Sequence, residues 1–154
     1  MNSTTESAWL LDVNALIALI IPLHIHHERM HRWFRQNSAA GWATCPITEN
    51  GAIRVISQPK FATGPYTASE ATEALRSVCE SLSKQHRFWP ADVSLTDESL
   101  FNIQNIVGPK QVTDAYLLGL AAKHGAKLVS FDRSLPWQAI RKGTARLIEA
   151  PLLQ

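Results

Sequence analysis

Four acidic residues occupy positions where a carboxylate is unusual, and they define the chemistry that this sequence can perform. Asp12 and Asp132 each close a short apolar segment, "WLL" and "KLVSF" respectively. Glu49 and Asp114 each begin an apolar stripe at helical spacing, which directs their side chains toward the protein interior. Charged side chains rarely point inward without a partner, so these four residues are candidates for a functional site.

If these carboxylates meet, their mutual repulsion must be relieved. Two carboxylates about 4 Å apart repel by roughly 4 kcal/mol at an effective dielectric constant of about 20. Either some of them take up protons or a divalent cation neutralises them. Oxygen ligands of this kind favour Mg²⁺ or Mn²⁺ over zinc. Asn14 and Ser130, each two residues from one of the acids, add short polar side chains that can orient a carboxylate or a water of the cation's shell.

Alternating strands and helices must bring the four acids together. Apolar runs predict strands at residues 8–12, 41–46, 87–93, 126–132 and 145–150. Helical spacing and breakers predict helices at residues 14–20, 47–58, 66–86, 97–107 and 111–125, and one that starts near Ile25. Strands separated by helices form a parallel sheet with helices on both faces, which is a three-layer α/β/α sandwich. The carboxyl ends of its strands lie along one edge, where Asp12 and Asp132 can meet.

Each acid also has a purely structural explanation. Asp12 can cap the helix that follows it, and Asp132 can hold a turn. Glu49 and Asp114 can lie in the first turns of helices, where the helix dipole stabilises an anion. Because all four would have to reach one edge of the sheet by coincidence, their joint placement favours a functional cluster.

Length and composition limit the classes of protein to which this chain can belong. The chain is expected to form one domain, residues 1–154, with residues 1–7 as a flexible lead. Lys and Arg outnumber Asp and Glu by 15 to 13, and the pI of 8.7 permits contact with nucleic acid without requiring it. Cys45 and Cys79 lack the spacing of a disulfide framework or a metal site, and neither a signal peptide nor a membrane span is recognisable. These features predict a cytoplasmic protein that does not bind membranes.

The segment "HERMH" matches the H-E-x-x-H pattern of zinc peptidases. On a helix, His27 and His31 share a face and can bind one Zn²⁺, with Glu28 as the general base. A catalytic zinc requires a third protein ligand. The extended form of the pattern has glycine and histidine further on, where this sequence has Phe34 and Asn37.

An ordinary helix explains the same segment. Pro22 breaks the chain, a helix starts near Ile25, and Glu28 pairs with Arg32 at i+4. Its inward-facing residues would be Met30, Trp33 and Phe34. The histidines then lie on a surface and bind no metal.

Three segments together resemble a known family. They are "LLDVNALIAL", "ITENGAIRVI" with its isolated Glu49, and "VTDAYLLGLAAKHGAKLVSFDR". From Trp9 to about Leu147, the chain resembles the PIN-domain ribonucleases, and specifically the VapC toxins of VapBC toxin–antitoxin pairs. The resemblance implies a PIN fold, dependence on Mg²⁺ or Mn²⁺, endonucleolytic cleavage of RNA, inhibition by a cognate VapB-like antitoxin and frequently a homodimer. It also implies that the H-E-x-x-H match is a coincidence in a helix away from the acidic edge.

The site residues of the family can be carried over to this sequence. Its acidic positions correspond to Asp12, Glu49, Asp114 and Asp132. Asn14 and Ser130 stand where the family often has small polar residues. The resemblance implies that the acids hold one or two cations, with Asp132 as a direct or an outer ligand. Lys110 and Arg133, which flank this set, are predicted to contact the RNA backbone.

Two other classes of function remain open from the sequence. A PIN module without catalytic activity, which binds RNA or a protein, is excluded by no residue, and cation-dependent RNA cleavage separates it from the nuclease. The zinc peptidase predicts bound zinc that is lost when His27 or His31 is replaced.

Overall fold

The computed structural model describes residues 8–82 and 84–151, and the predicted lead at residues 1–7 lies outside them. The strands within the described residues are β1 (Trp9–Leu11), β2 (Trp42–Thr44), β3 (His86–Phe88), β4 (Lys127–Val129) and β5 (Ile148–Glu149). The α-helices are α1 (Val13–Ile20), α2 (His27–Asn37), α3 (Pro46–Ile56), α4 (Ala68–Ser81) and α5 (Val112–Lys123). The predicted alternation of strands and helices is therefore confirmed.

The strands form one parallel sheet with the order β3-β2-β1-β4-β5. The central strand β1 pairs with both neighbours, so that Leu10 lies opposite Ala43 of β2 and Leu128 of β4. Strands covered on both faces read as continuous apolar runs, which explains the segments that predicted them. The carboxyl ends of all strands lie at one edge, as expected for an α/β/α sandwich.

Helices cover both faces of the sheet because neighbouring residues of a strand point to opposite sides. Leu11 points to the side of α1, α2, α3 and α4, where a cluster of buried residues includes Leu16 and Met30. Leu10 points to the other side, where α5 contributes Leu117 and Leu118. The two cores explain the apolar stripes that identified these helices in the sequence.

The predicted helix at residues 97–107 is wrong. Within this segment, the structure has a short 3₁₀ turn at Ile103–Asn105, and Phe101 forms an antiparallel bridge with Ile140. The Asn102 amide donates to the Ala139 carbonyl at 2.7 Å rather than to a residue four positions back. A distant segment of the chain therefore satisfies backbone groups that a helix would have satisfied locally.

Two predicted helix ends can be compared with the structure. The helix predicted at residues 66–86 is shorter, because α4 ends at Ser81 and His86 already belongs to β3. The end predicted at Gly125 is confirmed, since α5 ends at Lys123 and Gly125 has a φ of 65°. This left-handed conformation is one that glycine adopts without steric cost. No helix in the described part of the chain is long and apolar enough to cross a membrane.

Candidate active site

Asp12 combines the two roles that the sequence allowed, helix cap and site residue. It follows β1 directly and caps α1, with its Oδ1 accepting a hydrogen bond of 2.8 Å from the Ala15 amide. Only 7% of Asp12 is exposed, and this burial raises its pKa to about 6. Hydrogen bonds from Ser130 and Ala15 lower the pKa, whereas the charges of Asp114 and Asp132 raise it further. Asp12 therefore lies within the electrostatic field of two other predicted site residues.

Asp114 belongs to α5, which packs on the face of the sheet opposite to α1. It lies in the first turn of α5, where its side chain is half-buried. Burial raises the pKa of Asp114, and the charge of Asp132 raises it further. The charges of Asp114 and Asp132 thus act on Asp12, and the charge of Asp132 acts on Asp114, so the three carboxylates form a cluster whose repulsion a cation would relieve.

Ser130 and Asp132 form the part of the cluster that follows β4. Ser130 is 1% exposed, and its Oγ accepts a hydrogen bond of 3.0 Å from the Asp132 amide. Asp132 is more exposed, and its Oδ1 accepts hydrogen bonds from the amide and hydroxyl of Ser134 at 2.8 and 2.6 Å. Asp132 thus stabilises a turn, as its structural interpretation predicted. Its charge also raises the pKa values of Asp12 and Asp114.

Glu49 is held by a different set of contacts. The Thr44 hydroxyl donates a hydrogen bond of 2.6 Å to Glu49 Oε2, and His86 Nε2 lies 2.9 Å from Thr44 Oγ1. Because the single hydroxyl proton goes to Glu49, His86 Nε2 must carry a proton and donate to Thr44. Burial, together with the neighbouring charge of Arg87, lowers the pKa of His86. A neutral His86 therefore supports Glu49 through Thr44.

Glu49 lies in the first turn of α3, a helix that packs against the helix that Asp12 caps. Two residues further along α3, a Cβ added at Gly51 would lie 2.6 Å from Cγ2 of Val13, the residue that follows Asp12. The absence of a side chain at Gly51 allows α3 to approach the first turn of α1 this closely. The structure thus couples Asp12, Asp114 and Asp132 directly and holds Glu49 on the adjacent helix.

Glu49, Cys79 and His86 also present ligand atoms within 4.8 Å of one another, the only such group of three among the described residues. A thiol binds a metal as the thiolate. Burial raises the pKa of Cys79 to about 11, with a further contribution from the charges of Glu49 and Glu80. A protonated thiol is a poor metal ligand, so Cys79 must lose its proton before this group can hold a metal.

The remaining predicted site residues lie at the surface. Asn14 is exposed in the first turn of α1, close to the cluster in sequence. Lys110 is exposed in the turn before α5, and Arg133 is exposed next to Asp132. Both cations are therefore accessible to solvent, and their contact with the RNA backbone stays a prediction.

Sequence reasoning missed Thr44 and His86. Trp42 and Thr44 point to the same face of β2, and Trp42 lies opposite His86 in the parallel register. The only local signal was a polar residue at the end of an apolar strand, five positions before Glu49. The pairing of β2 with β3 brings His86 into contact with Thr44 and cannot be read from either segment alone.

The two histidines of the H-E-x-x-H match bind the backbone rather than forming a three-ligand site. His27 Nδ1 lies 2.8 Å from the Ala18 carbonyl, and His31 Nε2 lies 3.1 Å from the Leu19 carbonyl. These carbonyls belong to the last turn of α1, whose final carbonyl groups have no partner within the helix. These two ring nitrogens must be protonated to donate there, so only the other nitrogen of each ring could bind a metal.

Helix α2, which carries these histidines, agrees in part with the prediction of an ordinary helix. Met30, Trp33 and Phe34 are buried, as predicted. The predicted ion pair between Glu28 and Arg32 is not formed in the described part of the chain. His26, which precedes α2, stacks on Phe131 with ring centroids 4.7 Å apart. The start of α2 therefore lies beside the loop that carries Asp132, closer to the acidic edge than expected.

Comparison with known proteins agrees with this geometry. The model of the PIN domain family matches residues 9–140. The ribonuclease VapC38 of Mycobacterium tuberculosis is 49% identical over 126 residues, which cover 80% of this chain and 84% of the relative. VapC44 of the same organism is 41% identical over 135 residues, covering 88% and 93%, and VapC39 is 43% identical over 129 residues, covering 82% and 89%. The chain belongs to the PIN-domain family and, within it, to the VapC ribonucleases.

Proposed function

We propose that this protein is the toxin of a type II toxin–antitoxin pair and acts as a cation-dependent endoribonuclease. The observation that carries the proposal is the buried Asp12, whose pKa of about 6 reflects burial and the charges of Asp114 and Asp132. Such a cluster at the carboxyl edge of a parallel sheet is a costly arrangement that a functional site explains. Membership in the VapC family supplies the reaction class.

The donor set fits Mg²⁺ or Mn²⁺. Asp12, Asp114 and Asp132 offer carboxylate oxygens, and Ser130 offers a hydroxyl, so the cluster contains only oxygen donors. Hard divalent cations prefer oxygen ligands, whereas zinc prefers nitrogen and sulfur. We assign Asp12, Glu49 and Asp114 as the principal ligands, direct or through water, and Asp132 as a direct or outer ligand. A bound cation supplies Lewis acidity and lowers the pKa of nearby water, which phosphodiester hydrolysis requires.

The chain's own groups orient the acids for this reaction. The Ala15 amide and Ser130 fix the carboxylate of Asp12, and Thr44 fixes that of Glu49. Fixed carboxylates bind a cation without first reorganising, which preserves their electrostatic contribution in the transition state. The expected products carry a 5′-phosphate and a 3′-hydroxyl.

Contacts outside the acids complete the proposal. Asn14 orients a ligand at the start of α1, and Lys110 and Arg133 hold the RNA backbone on either side of the cluster. We further propose that the 154 residues form a single PIN domain, that the protein is a homodimer, and that a VapB-like antitoxin inhibits it.

The proposal is tested by incubating purified, antitoxin-free protein with total cellular RNA in Mg²⁺, in Mn²⁺ and in EDTA. We expect discrete fragments that form only with a divalent cation, and mapping of their ends names the RNA. A PIN module without catalytic activity would leave all RNA intact under every condition. Fragments that form equally in EDTA would contradict the role of the cation.

A further inference from the structure

A basic cleft lies between α2 and the carboxyl-terminal edge of the sheet. It has a volume of about 540 Å³. Arg29 and Arg32 of α2 line one side, and Arg133 lines the cleft from the loop after β4. Trp33 and Glu149 contribute to its wall. Three arginines therefore line one cavity.

These arginines are not neutralised by the protein. Within residues 8–82 and 84–151, no carboxylate lies within 4.0 Å of Arg29, Arg32 or Arg133. Glu149, an acid in the wall, instead accepts a hydrogen bond of 3.1 Å from Trp33 Nε1 through its Oε2. The Nε atom of Arg29 is buried and has no hydrogen-bond partner among the described residues. A buried donor without a partner is unfavourable and indicates a missing acceptor.

The cleft adjoins the acidic cluster. Arg133 directly follows Asp132, and the Ser130 amide donates a hydrogen bond of 2.9 Å to the Glu149 carbonyl. The loop after β4 therefore carries Ser130 and Asp132, which belong to the acidic cluster, and Arg133, which lines the cleft. A chain bound at the acids can therefore continue into the cleft without leaving the protein surface.

We propose that Arg29, Arg32 and Arg133 bind the phosphate backbone of the RNA next to the cleaved bond. The inference rests on the proposed function and adds the strand-binding surface to it. Planar guanidinium groups bind phosphate oxygens through paired hydrogen bonds, and phosphate supplies the acceptor that Arg29 Nε lacks. Three arginines in the lining favour a polyanion over an amphipathic protein helix, which would require a mainly apolar groove.

Binding is measured in a protein that cannot cleave. In the Asp12→Asn background, fluorescence anisotropy follows a short single-stranded RNA bound to variants carrying Arg29→Gln or Arg32→Gln. We expect each replacement to weaken binding about fivefold to tenfold and to reduce the slope of log affinity against log salt by about 1. Arg35→Gln is the matched control, because Arg35 is exposed on the same helix but does not line the cleft.

Two further variants separate a folding defect from a lost contact. Arg29→Lys keeps the charge but loses the paired donors, so we expect weaker binding with a nearly unchanged salt slope. Circular dichroism verifies that each variant is folded. If Arg29→Gln and Arg32→Gln bind RNA as well as Arg35→Gln does, the inference is overturned. The same holds if they lose affinity for a fluorescent polyglutamate peptide while retaining affinity for RNA, since the cleft would then bind an acidic protein segment.

Failure of the proposed function would be visible separately. Wild-type protein is assayed with bis(p-nitrophenyl) phosphate in Mn²⁺, because this small phosphodiester reaches the acids without occupying the cleft. Hydrolysis that EDTA abolishes supports the catalytic centre whatever the RNA-binding result. Intact RNA and an intact small phosphodiester would reject the nuclease proposal, while the anisotropy data would still decide the binding role of the arginines.

Discussion

The hydroxyl of Thr44 donates a hydrogen bond of 2.6 Å to the carboxylate of Glu49. Thr44 is fully buried at the end of β2, and His86 in turn donates to its oxygen at 2.9 Å. This chain of hydrogen bonds fixes the orientation of an acid that sequence analysis could identify but could not position. Thr44 is therefore a positioning residue for Glu49.

Replacing Thr44 tests this positioning role. Thr44→Val preserves the shape but removes both hydrogen bonds, and it leaves the half-buried His86 donor without its Thr44 partner at a cost of about 1 kcal/mol. We expect kcat for RNA cleavage to fall by about tenfold with a smaller change in KM. Thr44→Ser, which keeps the hydroxyl, should retain most of the activity. Equal cleavage by the valine variant and the wild type would exclude the role, provided that both proteins are folded.

Replacing Asp12 should stabilise the cation-free protein at neutral pH. The pKa of Asp12 is raised from 3.8 to about 6 in the folded state, so the folded protein holds this proton more tightly than the unfolded chain does. The contribution of protonated Asp12 to the free energy of unfolding is fully present below about pH 4 and is lost as the pH rises through about 6. Asparagine keeps the helix cap without the charge, so Asp12→Asn should be more stable by about 3 kcal/mol at pH 7.5.

Urea denaturation in EDTA at several pH values measures this difference. The advantage of Asp12→Asn should disappear near pH 4 and should shrink at pH 7.5 when Mg²⁺ is added, because the cation stabilises the wild type. Asp97→Asn provides a control of opposite sign, since hydrogen bonds from Ser99 lower the pKa of the exposed Asp97. A wild-type protein as stable as Asp12→Asn at pH 7.5 without cation would contradict the burial of this charge.

The histidines of α2 should act on stability rather than on catalysis. His27→Gln and His31→Gln weaken hydrogen bonds to the last carbonyls of α1, so we expect each to lower the free energy of unfolding by about 1 kcal/mol. RNA cleavage at a temperature where the variants are folded should be unchanged. Elemental analysis should detect no stoichiometric zinc. If the protein instead held one zinc per chain, and either replacement removed it, the zinc-peptidase hypothesis would be supported.

Gly51 should be sensitive to the smallest possible side chain. A Cβ at this position would lie 2.6 Å from Val13 Cγ2, so Gly51→Ala must displace the Val13 side chain or move α3, which carries Glu49, away from α1. We expect a loss of about 1–3 kcal/mol in stability, despite the better helix propensity of alanine, and reduced RNA cleavage.

The double variant Gly51→Ala, Val13→Ala removes the clash by shortening the opposing side chain. Thermal unfolding and cleavage rates should both recover toward the values of Val13→Ala alone. A Gly51→Ala protein as stable and active as the wild type would show that the two helices tolerate separation at this point.

The sequence predicts the parts of this fold that local patterns determine. Apolar runs that end in Asp12 and Asp132 identify two strands whose carboxyl ends share an edge, and the structure has both. Residues 97–107 were predicted incorrectly because their backbone groups bond to residues near Ala139, far away in the chain. Thr44 and His86 escaped notice for the same reason, since only the pairing of β2 and β3 brings them together.

The electrostatic state of the site also depends on tertiary structure. The sequence indicates that inward-facing acids must be protonated or neutralised, but not which acid is the most buried. Asp12 is that residue, because α1 begins at β1 and covers the carboxylate that caps it. The unpaired arginines of the cleft likewise depend on how α2 packs beside β5.

The most direct test of the catalytic centre compares RNA cleavage by wild type, Asp12→Asn, Asp114→Asn and the control Asp92→Asn. Asp92 is exposed and pairs with Lys123 at 3.1 Å, outside the acidic cluster. Single-turnover rates across a range of Mg²⁺ concentrations should fall on the order of 100-fold or more in the first two variants and stay near the wild-type value in the control. Wild-type rates in folded Asp12→Asn protein would contradict a catalytic centre built on Asp12.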